Sequence, residues 1–156
     1  MEANMREHAN QMYELVCNEL DERGWRFSKN EEKRQVIFVT GDEDITISVG
    51  IGVDEVKQRI YLQSPMDIEV CEEKRLDMAI AVCEANSRMA DGCLDYNVTD
   101  GTLGFRISVS LWDSKAGAGI MDYLLGSVYS VAARFNVMFD KLNKGEMSID
   151  EFLAMN

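Results

Sequence analysis

Histidine occurs once, at position 8, and proline once, at position 65, in a chain of 156 residues. A single histidine removes most routes to nucleophilic catalysis, because a serine or cysteine nucleophile needs a neighbouring base. His8 falls on the polar side of an N-terminal helical segment, where nothing in the pattern pairs with it. Zinc is excluded by the same shortage of ligands. The four cysteines, Cys17, Cys71, Cys83 and Cys93, show no C-x-x-C spacing, and two lie where a helix would bury them, so they read as reduced core residues.

Basic residues are also scarce. Sixteen Lys and Arg against 28 Asp and Glu give a net charge of −12, a field that repels phosphate backbones and anionic headgroups. Nucleic acid and membrane surfaces are therefore poor partners. No apolar run approaches the ~18 residues that span a bilayer, and no charged-then-apolar leader follows Met1, which points to a cytoplasmic protein.

What the chain does hold is apolar substance: 46% hydrophobic and 8% aromatic residues, the profile of one packed domain over residues 1–156 with no linker, repeat or low-complexity tract. Residues 3–23 carry Met5, Met12, Leu15, Val16 and Leu20 near helical spacing before Gly24, which predicts an amphipathic helix. Residues 25–27 read as a short edge strand and 30–34 as a solvated turn. From 35 to 64 the period becomes twofold, most clearly where Ile45, Ile47, Val49, Ile51 and Val53 alternate with small residues. Turns at Gly41-Asp42 and Asp54-Glu55 divide this stretch into an antiparallel meander of strands at 36–40, 44–53 and 58–64.

Pro65 ends the pairing, and a helix is predicted over 72–90 with Leu76, Ala79, Ile80, Cys83 and Ala90 as its buried stripe. Asn86 lies on that stripe and is expected to bond nearby backbone. A second hairpin places Leu94, Tyr96 and Val98 against Leu103, Phe105, Ile107, Val109 and Leu111 around Asp100-Gly101. Residues 116–142 return to helical spacing, and a short acidic helix near Ile149 closes the chain. The order predicts an α+β fold: helix, antiparallel three-stranded meander, helix, β-hairpin and long C-terminal helix.

The remaining candidates for chemistry each fail on a named residue. The acidic clusters at 42–44 and Asp54-Glu55 sit in turns, which favour and solvate Asp. Residues 140–151 resemble an EF-hand loop in Asp140, Gly145 and Glu151, but Leu142 and Lys144 stand where calcium needs oxygen ligands. Neither Gly50-x-Gly52 nor Gly117-x-Gly119 completes a phosphate-binding loop. No catalytic residue, metal site or cofactor is expected. Opposite the apolar sides of the two longest strands, however, lies a small-residue face including Ser48, Arg106, Ser108, Ser110 and Trp112, suited to an extended segment of another chain.

Asn86 late in the central helix, the hairpin VTDGTLGFR (98–106) and the closing FDKLNKGEMSIDEF (139–152) resemble the YbjN family, over most of the chain from about Gly24. That resemblance implies a fold similar to the type III secretion chaperones, small acidic proteins that usually dimerise and bind unfolded client segments without hydrolysing ATP. The YbjN branch is linked to regulation, and the family supplies no catalytic residues to carry over. This sequence departs from the secretion chaperones in its long, apolar last helix and in lacking a strongly exposed hydrophobic strand. The expectation is a non-enzymatic protein-binding domain, chaperone-like or regulatory. It would dimerise through the wide apolar face of the last helix, at Leu124, Val128, Val131 and Phe135, an isologous patch. The alternative is a small-ligand-binding regulatory module without catalysis, which needs a deep pocket with convergent polar groups.

Overall fold

A computed structural model describes residues 2–41, 46–112 and 116–155. The acidic cluster at 42–44 and the expected strand start at 44–45 lie outside the described residues. The elements follow the predicted order. Helix α1 (Glu2–Glu22) leads into strands β1 (Phe27–Asn30), β2 (Gln35–Gly41), β3 (Thr46–Asp54) and β4 (Arg59–Pro65). After these come α2 (Arg75–Ser87), the hairpin β5 (Cys93–Tyr96) and β6 (Leu103–Ser110), α3 (Gly119–Lys144) and α4 (Ile149–Ala154).

All six strands join one antiparallel sheet in the order β1-β2-β3-β4-β6-β5. The hairpin thus inserts its second strand beside β4, with Leu62 opposite Ile107 and Gln63 opposite Arg106, and leaves β5 at the edge. Pro65 is the last residue of β4, where its missing N–H removes no further rung. The twofold period fixes the faces. Val36, Phe38, Ile47, Val49, Ile51, Val53, Ile60 and Leu62 point one way and are buried.

The helices cover that apolar side. Ala9, Met12, Val16, Cys17 and Leu20 of α1 are buried, as are Met121, Leu124, Leu125, Val128, Phe135 and Phe139 of α3. Phe135 stacks on Phe139 at 5.4 Å between ring centroids, and Phe139 on Phe152 at 5.8 Å, which carries the core from α3 into α4. The turn between these helices rests on Gly145 in the left-handed region at φ 73°, whose N–H and the next donate to Leu142 and Lys141 carbonyls. Ser148 then caps α4 through a capping box with Glu151.

Two expectations need correction. The helix predicted over 72–90 is a 3₁₀ turn at Glu72–Lys74 followed by α2, and its buried residues are Met78, Ala81, Val82 and Ala85. The expected stripe faces outward: Leu76 is 75% and Ile80 49% exposed, and Cys83 and Ala90 are exposed as well. The cause is that α2 is apolar on two sides, so period alone cannot choose between them. Of the cysteines only Cys17 is buried; Cys71 and Cys83 are exposed and Cys93 is half-buried, all four as free thiols.

Candidate partner-binding surface

With the helices on one side, the other face of the sheet is open. Its rows follow from the register: Gln35, Gly52, Tyr61 and Ser108 form one, and Ile37, Gly50, Gln63, Arg106 and Cys93 the next. Of the expected partner-binding residues, Arg106, Ser108 and Ser110 stand in a line along β6 and are exposed. Trp112 follows the strand end, 56% exposed. Ser48 shares the face but stands apart, opposite Val39 on the far side of β4.

The face is less smooth than its small residues suggest, because β4 contributes large side chains outside the expected set. A Cβ at Gly52 would collide with the Tyr61 ring, so the glycine leaves the space in which that ring lies across β3. Tyr61 there accepts a hydrogen bond from Gln35 Nε2 at 2.6 Å, on the second strand over. Arg59 caps the assembly, its guanidinium carbon 5.7 Å from the Tyr61 ring centroid. The available signal was the glycine inside a strand, which marks close approach by another group. The expectation of no strongly exposed hydrophobic strand is also corrected: Ile37 and Val39 of β2 are 62% and 64% exposed on this face.

Charge on the open face is balanced. Arg106 Nε donates to Asp95 Oδ1 at 2.8 Å, and Arg59 Nε faces Asp54 Oδ2 at 3.5 Å. The Asp95 carboxylate holds the Arg106 guanidinium pKa above its ordinary value through this hydrogen bond and its charge. Between the pairs lies a depression of about 540 Å³ lined by Tyr61, Gln63, Cys93 and Ser108 together with the two arginines. On a chain of net charge −12 this is a locally neutral, amphipathic platform.

The fold is type III secretion chaperone-like. A chain of the ExsC–ExsE complex superposes with a TM-score of 0.60 at 9% identity, covering 82% of this chain and 92% of that one. YbjN from E. coli gives 0.55 at 13% identity over 77% and 84%. A chain of the HopA1–SchA chaperone–effector complex gives 0.55 at 11% over 81% and 94%. No protein-family model and no curated protein matches the sequence.

Within the chaperone-like fold the expected dimer residues are already occupied. Leu124, Val128, Val131 and Phe135 are 0%, 1%, 9% and 2% exposed, packed in the chain's own core. The inner sheet face, with Ile47, Phe105 and Ile107 on it, needs a cover, and α3 supplies it. These four side chains are therefore turned to the chain's own core rather than outward.

The candidates for chemistry have structural employment. His8 Nδ1 lies 2.7 Å from Gln58 Oε1, and Gln58 Nε2 donates to the Met5 carbonyl at 3.1 Å, which ties α1 to the β3–β4 turn. Glu151 accepts from Ser148 N–H at 2.8 Å, and Asp140 pairs with Lys144 at 2.6 Å. Asp140 and Glu151, the first and last carboxylates of the EF-hand-like segment, are thus spent on helix ends. No cluster of His, Cys, Asp or Glu that could hold a metal ion occurs among the described residues, and no described helix is long and apolar enough to cross a membrane.

Proposed function

We propose that this chain is a non-catalytic, cytoplasmic protein-binding domain, chaperone-like or regulatory, whose open sheet face receives a segment of another polypeptide. The observation that carries this reading is the uncovered side of a six-stranded sheet, bearing an apolar and aromatic platform whose charges cancel. Solvated sheet faces ordinarily carry scattered polar residues. Here Tyr61 is held flat by Gly52 and Gln35, while Ile37, Val39 and Trp112 stand exposed on or beside the same face. Tyr, Trp and Arg are the residue types that dominate binding energy at interfaces. The two neighbours that are complexes, ExsC–ExsE and HopA1–SchA, support a role in holding another protein. Affinity capture from native cytoplasm tests it, with wild type compared against Arg106→Glu and Trp112→Ala. Equal recovery of the same partner by all three would reject the open face as the site.

The homodimer belongs to the same proposal, moved from α3 to the solvent side of α2. Leu76 at 75% and Ile80 at 49% exposure stand one turn apart, with Cys83 beyond them, and no described element covers this stripe. An isologous contact would bury the stripe against its own copy. Light scattering should give a dimer mass that Leu76→Asp with Ile80→Asp reduces to a monomer. A wild-type monomer at high protein concentration would end this part of the proposal.

A further inference from the structure

We infer that a cleft between α3 and the end of the sheet, on the helix-covered side, is a second docking site, and that its occupant is an apolar polypeptide segment flanked by Lys or Arg. The inference rests on the protein-binding reading above but uses a separate surface. The cleft measures about 560 Å³. Its floor is Ile47, Ser64 and Phe105; Val131, Ala132 and Asn136 of α3 form one wall, and Pro65, Met66 and Ile68 the other. Val137 lines it too and is 60% exposed, although apolar residues dominate the surroundings.

One polar group in this apolar setting is left unsatisfied by its own chain. Asn136 Oδ1 is shut off from solvent and lacks a hydrogen-bond partner. Buried polar groups are almost always hydrogen-bonded, so this orphan acceptor indicates a donor supplied from outside. Ser64, 5% exposed, adds a hydroxyl to the lining of the same cleft. A hydrocarbon tail offers neither donor nor acceptor. A peptide backbone offers both beside apolar side chains, which matches a floor holding a hydroxyl and a wall holding an amide oxygen. The flanking charge follows from the rim. Asp67 makes no ion pair, Asp140 is held by Lys144, and the whole chain carries −12. Such a field attracts cationic flanks and repels anionic ones.

Three synthetic peptides test this on the full chain: a Val/Leu-rich core flanked by lysines, the same core flanked by glutamates, and a lysine-flanked Gly/Ser core. The first is expected to bind and to move the methyl resonances of Met66, Ile68 and Val137, with the other two at least about tenfold weaker. Val137→Glu and Asp67→Lys alter exposed positions, leave the fold intact and should each weaken the first peptide by about tenfold. Equal binding of the lysine and glutamate peptides, or unaffected binding by both variants, would overturn the inference. Resonance shifts confined to Tyr61, Arg106 and Ser108 would overturn the cleft while leaving the open-face reading intact. Absence of binding by all three peptides, with partner capture still sensitive to Arg106→Glu, would do the same.

Discussion

Asn86 pairs with Leu94 as a strand would: its Nδ2 donates to the Leu94 carbonyl at 3.0 Å, and its Oδ1 accepts from the Leu94 N–H at 2.8 Å. One carboxamide on α2 thus satisfies both outward backbone groups of Leu94 in β5, an edge strand. Edge strands are the points at which sheets recruit other chains, and this one is closed from within.

Asn86→Ala should therefore do two things. It leaves a half-buried N–H and C=O without partners, at a cost of about 1–3 kcal/mol in chemical denaturation. It also opens the β5 edge, so the variant should aggregate or exchange the Leu94 amide proton faster than wild type. A variant with unchanged stability and unchanged exchange at Leu94 would show that the pair is incidental.

Gly52 and Tyr61 make a second coupled pair. Gly52→Ala puts a methyl where the Tyr61 ring lies, so the ring must leave and its bond to Gln35 at 2.6 Å breaks. A loss of about 1–3 kcal/mol is expected. In the Tyr61→Ala background the same glycine change should be close to neutral, since the obstacle is gone. The double-mutant cycle measures that coupling directly.

The thiols should separate by burial. Cys71 and Cys83 are exposed, while burial pushes the Cys17 thiol pKa up and removes it from solvent. Thiolate is the reactive form, so maleimide followed by mass spectrometry should label Cys71 and Cys83 first. Cys93 should follow more slowly, because burial raises its pKa as well. Cys17 should react only on unfolding.

Acid should weaken the fold through two carboxylates, Asp100 in the hairpin turn and Glu151 in the first turn of α4. Thr102 donates its hydroxyl and N–H to Asp100, and Ser148 donates its N–H and hydroxyl to Glu151; both carboxyl pKa values fall below their ordinary 3.8 and 4.5. The folded state then holds fewer protons than the unfolded one. Their contribution is present above the ordinary values and disappears as pH falls through the lower folded values. Asp100→Asn and Glu151→Gln should flatten this acid limb in denaturation midpoints. At the alkaline end, burial first and the neighbouring Cys17 second push the Tyr13 phenol up from 10.0 to about 12. That contribution is complete below 10.0 and is lost as pH rises through about 12, so Tyr13 should ionise late in ultraviolet titration.

Much of the fold was legible because the local patterns are strong. Ile47, Val49, Ile51 and Val53 alternate strictly, and the structure buries all four. Asn86 was expected to bond backbone and does. What failed was what pattern cannot carry. Helix α2 has Leu76 and Ile80 on one side and Met78, Ala81, Val82 and Ala85 on the other, and only tertiary packing decides which is covered. Phe135 and Val128 were correctly read as a hydrophobic face but assigned to a second copy, because a sequence does not say whose sheet the face will meet. Arg59 and Tyr61 were missed on the open face since their adjacency to Arg106 and Ser108 depends on β6 inserting beside β4, a long-range pairing.

The most direct test of the open face is site-specific photocrosslinking in native cells. A photoreactive residue would replace Ser108, exposed on β6, and in a control Glu14, exposed on α1. Irradiation is expected to join the Ser108 form, and not the Glu14 form, to another polypeptide, and Arg106→Glu to diminish the adduct. Adducts forming at Glu14 and not at Ser108, with the same partner still captured, would contradict it.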